Sequence, residues 1–411
     1  MTGTTPGPNA VTRALGTPVD LSVMRAWALA LALGGCGFSS SAAPDNAGNG
    51  QDAGGQPPAD GPTGGSDVDA GMIHVCLGTF VNVCVDAPRA SLTLPAGMID
   101  TSDVSPATRC RPYTADPPVD ACVIASQSIA IPAGTTVAVT GGKRLILLAT
   151  ETLSIGGTLD AASHRGGHTG PAADTGPCPA SVRDPTNVGQ GGGGWGGTFG
   201  GPGNNGGNTP GGGMGGGAGA ALTITALGGG CPGGNGAGAN GGAGGHGGGA
   251  VLLLAGQSIE IGGAINASGG GGSGGKATNA SAGAGGGGGG AGGMIVLEAP
   301  SVKIPGRCFA NGGGGGEGSS VLNGAGGGES SAPDTAGTGG RSVSVGGDGG
   351  NGGVGVTGSK PGANGASIVN PLVDVGGGGA GGGGVGILKI LSGDPGAGSV
   401  RDLEKLAPPP S

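Results

Sequence analysis

The sequence predicts an all-β solenoid, in which strands too short to fold singly stack as successive coils. Three observations predict it. A block of apolar and alternating residues recurs along the chain. The chain holds 112 Gly and 30 Pro among its 411 residues, yet only 10% charged and as much as 35% hydrophobic residues. That much Gly and Pro usually marks a low-complexity chain, but disordered chains combine it with high charge and few aliphatics. Finally, there are only two Trp, one Tyr and four Phe. A globular enzyme of this length would bury many more aromatic rings.

The repeated block has one plan. Residues 145–149 read LILLA and are followed by LSIGGTLDA at 153–161. Residues 251–255 read VLLLA and are followed by IEIGGAINA at 259–267. Residues 295–299 read IVLEA and are followed by VKIPGRCFA at 302–310, and a partial copy, VGILKIL, occupies 385–391. Each unit opens with an apolar strand. A second strand alternates, as Ile259-Glu260-Ile261 does, and a Gly-Gly or Pro-Gly corner leads to a third, such as Ala264-Ile265-Asn266. Alternation of this kind suits strands with one buried face. Aligning the copies puts Leu159, Ile265 and Cys308 at one inward position, and Asp160, Asn266 and Phe309 at the next. Residues 129–141, IAIPAGTTVAVTG, read as another turn of the same wall.

The stretch IPAGTTVAVTGGKRLILLATETLSIGGTLDA, with the glycine runs after it, resembles right-handed parallel β-helix proteins carrying Gly-rich loops between coils. It also resembles glycine-rich surface lipoproteins of myxobacterial type. The resemblance covers residues 128–392. It implies a right-handed parallel β-helix and little about activity. The glycine runs at 189–249, 269–293, 312–365 and 376–386 admit two readings. They are mobile loops, because ordering glycine is entropically expensive. Or they pack as parallel polyproline-II strands with three residues per turn, close enough to bond through their backbones and stack as a second layer.

Residues 24–36, MRAWALALALGGC, have the plan of a secretory signal: Arg25, an apolar run, then small residues before Cys36. The run is shorter than the roughly 20 residues that span a bilayer. Leu33-Gly34-Gly35-Cys36 resembles a bacterial lipobox, in which the cysteine is acylated and becomes the mature amino terminus. By that resemblance Cys36 is the lipid anchor, and Gly37 in place of Asp favours the outer membrane and a surface-exposed protein. Residues 1–23, with Pro6, Pro8 and Pro18, read as a non-native start or an extended n-region before Met24. Residues 37–71 are poor in large apolar side chains and read as a flexible tether. The organisation expected after them is a Cys-rich cap over 72–127 that shields the first coil, the solenoid with its insertions over 128–393, and a tail over 394–411.

There are eight cysteines, and an exported chain favours disulfides. Cys76, Cys84, Cys110 and Cys122 allow three pairings, of which the local ones, Cys76–Cys84 and Cys110–Cys122, are favoured. Cys178 and Cys231 flank a glycine-rich excursion that a disulfide would close. Cys308 reads as a buried free thiol acting as a small hydrophobe.

Catalytic, cofactor and metal sites are not expected. His164 and His168 have H-x3-H spacing, but in a loop-like context with no neighbouring Cys or carboxylate to complete a metal set. In 346–354, Asp348 stands at the third position and not the sixth of the calcium-binding nonapeptide. Gly274-Gly275-Lys276-Ala277 lacks the Ser or Thr of a phosphate loop. A net charge of −8 without a basic stripe excludes nucleic acid as partner. The coil residues Asp160, Glu260, Glu298, Lys303 and Arg307 form no paired-carboxylate ladder, and Glu260 with Lys303 reads as a cross-strand pair. The expected function is a non-enzymatic, lipid-anchored structural or adhesive scaffold of the bacterial outer envelope, facing carbohydrate or extracellular matrix. The alternatives are a polysaccharide-active β-helix enzyme using Glu260 or Glu298, and an ice- or surface-binding polyglycine protein.

Overall fold

A computed structural model describes residues 74–103, 110–179, 181–277, 283–341, 346–354 and 376–393, all within the unit spanning 67–411. The signal-like segment with Cys36, the tether and the tail lie outside the described residues. Among the described residues the fold is all-β, without a helix, so none holds a helix long and apolar enough to cross a membrane.

The chain opens with β1 (His74–Leu77) and β2 (Asn82–Asp86), then β3 (Leu92–Thr93), β4 (Gly97–Asp100) and β5 (Thr114–Asp116). Two passes of three strands follow: β6 (Ala121–Ser126), β7 (Ile129–Ile131) and β8 (Thr136–Thr140), then β9 (Arg144–Ala149), β10 (Thr152–Ile155) and β11 (Thr158–Asp160). A two-residue pair, β12 (Asn187–Val188) and β13 (Gln190–Gly191), lies in the first glycine excursion. Two more passes are β14 (Ala250–Ala255), β15 (Ser258–Ile261) and β16 (Ala264–Asn266), then β17 (Met294–Ala299), β18 (Ser301–Lys303) and β19 (Arg307–Phe309). The last strand is β20 (Ile387–Ser392).

Successive passes stack into three parallel five-stranded sheets. Sheet I is β6-β9-β14-β17-β20, sheet II is β3-β7-β10-β15-β18, and sheet III is β4-β8-β11-β16-β19. The register is the one the repeats imply. In sheet I, Leu145, Val251, Ile295 and Leu388 are aligned. In sheet III, Leu159, Ile265 and Cys308 are aligned, and so are Asp160, Asn266 and Phe309. The inward residues of all three sheets form one core, including Leu147, Leu253, Ile155, Ile261 and Cys308. Cys308 is free and buried, and burial pushes its thiol up to about 12.

Sheet I differs from the other two because it is buried on both faces. Its outward residues Ile146, Leu148, Leu252, Leu254, Met294 and Val296 form a second core. Two elements cover them: Val81, Val83 and Val85 on and beside β2, and Phe199, Leu227 and Ala291 from the glycine-rich runs. This explains why β14 is apolar throughout, and β9 after Arg144, while β10 and β15 alternate. A strand buried on both faces loses the alternation that a solvated face imposes.

The cap expected over 72–127 takes a different form. Its strands β3, β4 and β6 already belong to the parallel sheets, so the stack begins near Leu92 and not at residue 128. Only β1, β2 and β5 form a separate antiparallel sheet, and it covers the outer side of sheet I. The alternating valines around β2 have an apolar partner there. Glu298, on β17, ties down the turn between β1 and β2: it accepts hydrogen bonds from the Thr79 amide, the Thr79 hydroxyl at 2.6 Å and the Phe80 amide at 3.2 Å. Hydrogen bonds to a charged acceptor contribute more than neutral ones. Glu298→Ala is therefore expected to cost about 2 kcal/mol and to raise amide exchange selectively in β1 and β2, read by hydrogen–deuterium exchange.

Disulfides join Cys76 to Cys84, Cys110 to Cys122 and Cys178 to Cys231. The first staples β1 to β2 across paired residues. The third closes the glycine excursion between β11 and β14.

The described parts of the glycine runs form an ordered layer. Residues 283–293 lie at its centre. The amides of Gly286, Gly289 and Gly292 donate to the carbonyls of Gly378, Gly381 and Gly384. Those of Gly287, Gly290 and Gly293 donate to Ser273, Gly270 and Ala267, and those of Gly285, Gly288 and Ala291 donate to Ala237, Gly234 and Cys231. Carbonyls of the same segment accept from three further runs, around 191–197, 242–248 and 313–319. Each set of bonds advances by three residues, so each of three faces meets its own neighbours. Backbone polar groups that would be costly to bury unpaired are thereby satisfied. The close approach requires glycine: a Cβ on Gly288 would stand 1.7 Å from the Trp195 carbonyl oxygen.

Candidate functional site

The main cluster of chemically versatile side chains lies just after β11. Asp160 ends that strand, with its side chain on the outer face of sheet III. The chain then makes a tight turn through His164 to His168. The His164 amide donates to the His168 carbonyl at 3.0 Å, and the Gly167 amide donates to the His164 carbonyl at 3.0 Å. Gly166, at a φ of +73°, occupies the left-handed region that glycine adopts without strain. This turn folds the two imidazoles onto each other, edge to face, with ring centroids 4.9 Å apart.

Carboxylates reach the same place, contrary to what the local sequence implied. Nε2 of His164 lies 3.1 Å from Oδ2 of Asp160, and its Nδ1 lies 2.7 Å from Oε2 of Glu329. Glu329 arrives from the glycine-rich run after the fourth complete pass, and its other oxygen accepts from the Arg165 amide. The second oxygen of Asp160 accepts from the Ala162 amide at 3.3 Å and from Nδ2 of Asn266 at 3.2 Å. Asn266 is the next rung's counterpart of Asp160, so the stacking itself places this donor. The expectation that no carboxylate completes the H-x3-H pair is thus corrected. Asp160 lies four residues before His164, whereas Glu329 is separated from it by 165 residues, beyond the reach of local spacing.

The hydrogen bonds from Asp160 and Glu329 raise the His164 pKa to about 10, against the opposing effect of burial. Glu329 is held below its ordinary value: burial raises it, and the bonds from His164 and the Arg165 amide outweigh that. One ligand atom from each of Asp160, His164 and His168 falls within 4.8 Å of the others, and all three side chains are half-buried. Nε2 of His168 is buried and has no hydrogen-bond partner.

A second histidine site is simpler. Nδ1 of His246 lies 2.6 Å from Oδ2 of Asp174, whose other oxygen accepts from the Gly247 amide at 2.8 Å. The Asp174 hydrogen bond raises the His246 pKa above its ordinary 6.5, against burial. A raised folded-state value means that the pair's stabilisation is full below pH 6.5 and is lost as pH rises through the folded-state value. In a proton NMR titration His246 is expected to titrate above 6.5, and Asp174→Asn is expected to bring its midpoint back.

The other residues weighed for chemistry are dispersed. Glu260 and Lys303 are register neighbours on β15 and β18, as the alignment implied. Glu298 is engaged by the β1–β2 turn. Asp348 pairs with Arg341 at 2.8 Å. A shallow groove follows the corner between sheets II and III, walled by the backbone of stacked turns with Thr135, Thr136, Thr158 and Arg307 along it. Comparisons with protein-family models, curated proteins and solved structures find no match to this chain.

Proposed function

We propose that this chain is a non-enzymatic structural or adhesive scaffold of the bacterial outer envelope, exported and anchored through lipid on Cys36. In this reading the three parallel sheets are a right-handed parallel β-helix and the glycine layer is a bundle of polyproline-II strands packed on one of its faces. The three-residue advance of the hydrogen bonds supports the second point, because it is the period of that helix. The near-invariant handedness of crossovers between parallel strands supports the first.

The observation that carries the function is the glycine layer. Long runs of the chain are committed to backbone bonds on every side, which makes a stiff slab out of residues that offer no side-chain chemistry. The three disulfides support export, since such bonds persist in oxidising compartments. The lipobox-like Leu33-Gly34-Gly35-Cys36 supplies the anchor. The corner groove, with its threonine hydroxyls and Arg307, offers a polar face to carbohydrate or matrix. The regular glycine layer also supports the second reading, an ice- or surface-binding protein, which thermal hysteresis of the purified chain tests directly.

The test of the scaffold is made in cells producing the full chain. The wild-type protein is expected in the outer-membrane fraction and degraded by protease added to intact cells. The Cys36→Ser variant is expected to lose the membrane association. Loss of the protein is expected to weaken adhesion. A wild-type chain found soluble, or turnover in a glycan-degradation screen that Glu260→Ala or Glu298→Ala abolishes, would overturn it.

A further inference from the structure

We propose that Asp160, His164 and His168 bind one divalent transition-metal ion of the zinc class, with Glu329 and Asn266 orienting the ligands from behind. Four observations carry this, and none depends on the scaffold reading.

The first is distance. Two ligand atoms on one tetrahedral ion, with bonds of about 2.0–2.2 Å, stand roughly 3.3–3.5 Å apart. Oδ2 of Asp160 and Nε2 of His164 are 3.1 Å apart across a hydrogen bond whose proton an ion would replace, and one ligand atom from each of the three residues lies within 4.8 Å of the others.

The second is the unsatisfied nitrogen. Buried polar atoms are nearly always hydrogen-bonded, and each exception calls for an explanation such as an ion. Nε2 of His168 is one of two buried side-chain atoms without a partner among the described residues, and it belongs to this cluster. The other, Oγ of Ser320, belongs to a different part of the chain.

The third is the outer ring of partners. A metal-binding histidine characteristically gives its remaining ring N–H to a carboxylate, which sets its tautomer and orientation. Glu329 stands 2.7 Å from Nδ1 of His164, on the far side of the ring from Asp160. Asp160 is itself held, through its second oxygen, by Asn266 and the Ala162 amide. Each of these two ligands is therefore oriented through the atom it does not offer to the ion.

The fourth is the donor set. Two imidazoles and one carboxylate suit zinc, copper or nickel, whereas calcium and magnesium take oxygen ligands. Three protein ligands leave the fourth zinc position to water or to an exchangeable ligand.

The full-length chain, stripped with chelator and titrated with zinc chloride by calorimetry, is expected to bind one ion, without competition from calcium or magnesium. His168→Ala and Asp160→Asn are each expected to weaken binding at least about tenfold, and Glu329→Gln between about 10- and 100-fold. His74→Ala and His246→Ala, the remaining histidines, are expected to change nothing. Circular dichroism monitors the fold of each variant. X-ray absorption on the zinc-loaded wild-type chain requires no variant and is expected to show two imidazole ligands. A chain that binds no zinc, one that binds as tightly after His168→Ala, or one whose bound zinc shows no imidazole overturns the proposal.

Discussion

Gly288→Ala is expected to destabilise the protein by about 3 kcal/mol or more, at or beyond the top of the usual range for overpacking, and to open the glycine layer around residues 283–293. The new methyl carbon would meet the Trp195 carbonyl oxygen at 1.7 Å and the carbon behind it at 2.5 Å. Both atoms are backbone, so no side-chain rotation relieves the clash. The amide of Gly288 donates to Gly234 and its carbonyl accepts from Gly245, so a shift of this residue strains two neighbouring runs at once. Gly262→Ala is the control. The nearest atom to a Cβ there is 4.0 Å away, and an effect within about 0.5 kcal/mol is expected. Thermal and denaturant unfolding measure the difference, and amide exchange locates it. Equal behaviour of the two variants would mean that the glycine runs are not packed at this spacing.

Leu252→Ala is expected to be as damaging as Leu253→Ala, each by about 2–5 kcal/mol. The two side chains point to opposite faces of β14. Leu253 faces the interior among the three sheets, and Leu252 faces the layer formed by the β2 valines and the glycine-rich runs. Both are fully buried. If sheet I faced solvent, Leu252→Ala would cost a few tenths of a kcal/mol at most. Chemical denaturation of the two variants, side by side, distinguishes the cases.

How far each feature was legible follows from how local its cause is. The strands and their register came through because side chains alternate across a strand by covalent geometry, and equivalent residues such as Leu159, Ile265 and Cys308 recur in equivalent places. The short disulfides Cys76–Cys84 and Cys110–Cys122 were favoured for the same reason, their partners being close in the chain. The apolar character of 145–149 and 251–255 was visible, but its cause was not. A run without alternation announces burial and does not say what lies on the second face. The metal-like cluster was half legible: His164 and His168 stand out by spacing, and Asp160 by its place beside an inward leucine. Glu329 carries no mark at all, since one glutamate in a glycine run resembles any other solvated one.

The sequence alone therefore determined the passes from Ile129 to Phe309, their order and their inward faces, because these depend on a two-residue period and on repetition within each unit; the strands before them, β3, β4 and β6, it left in the cap. Tertiary structure alone decided what covers sheet I, which glycine run bonds to which, and which carboxylates surround His164. Glycine has no side chain with which to specify a neighbour. Its partners are chosen by backbone hydrogen bonds that form only when runs far apart in the chain are brought side by side by the strands that join them.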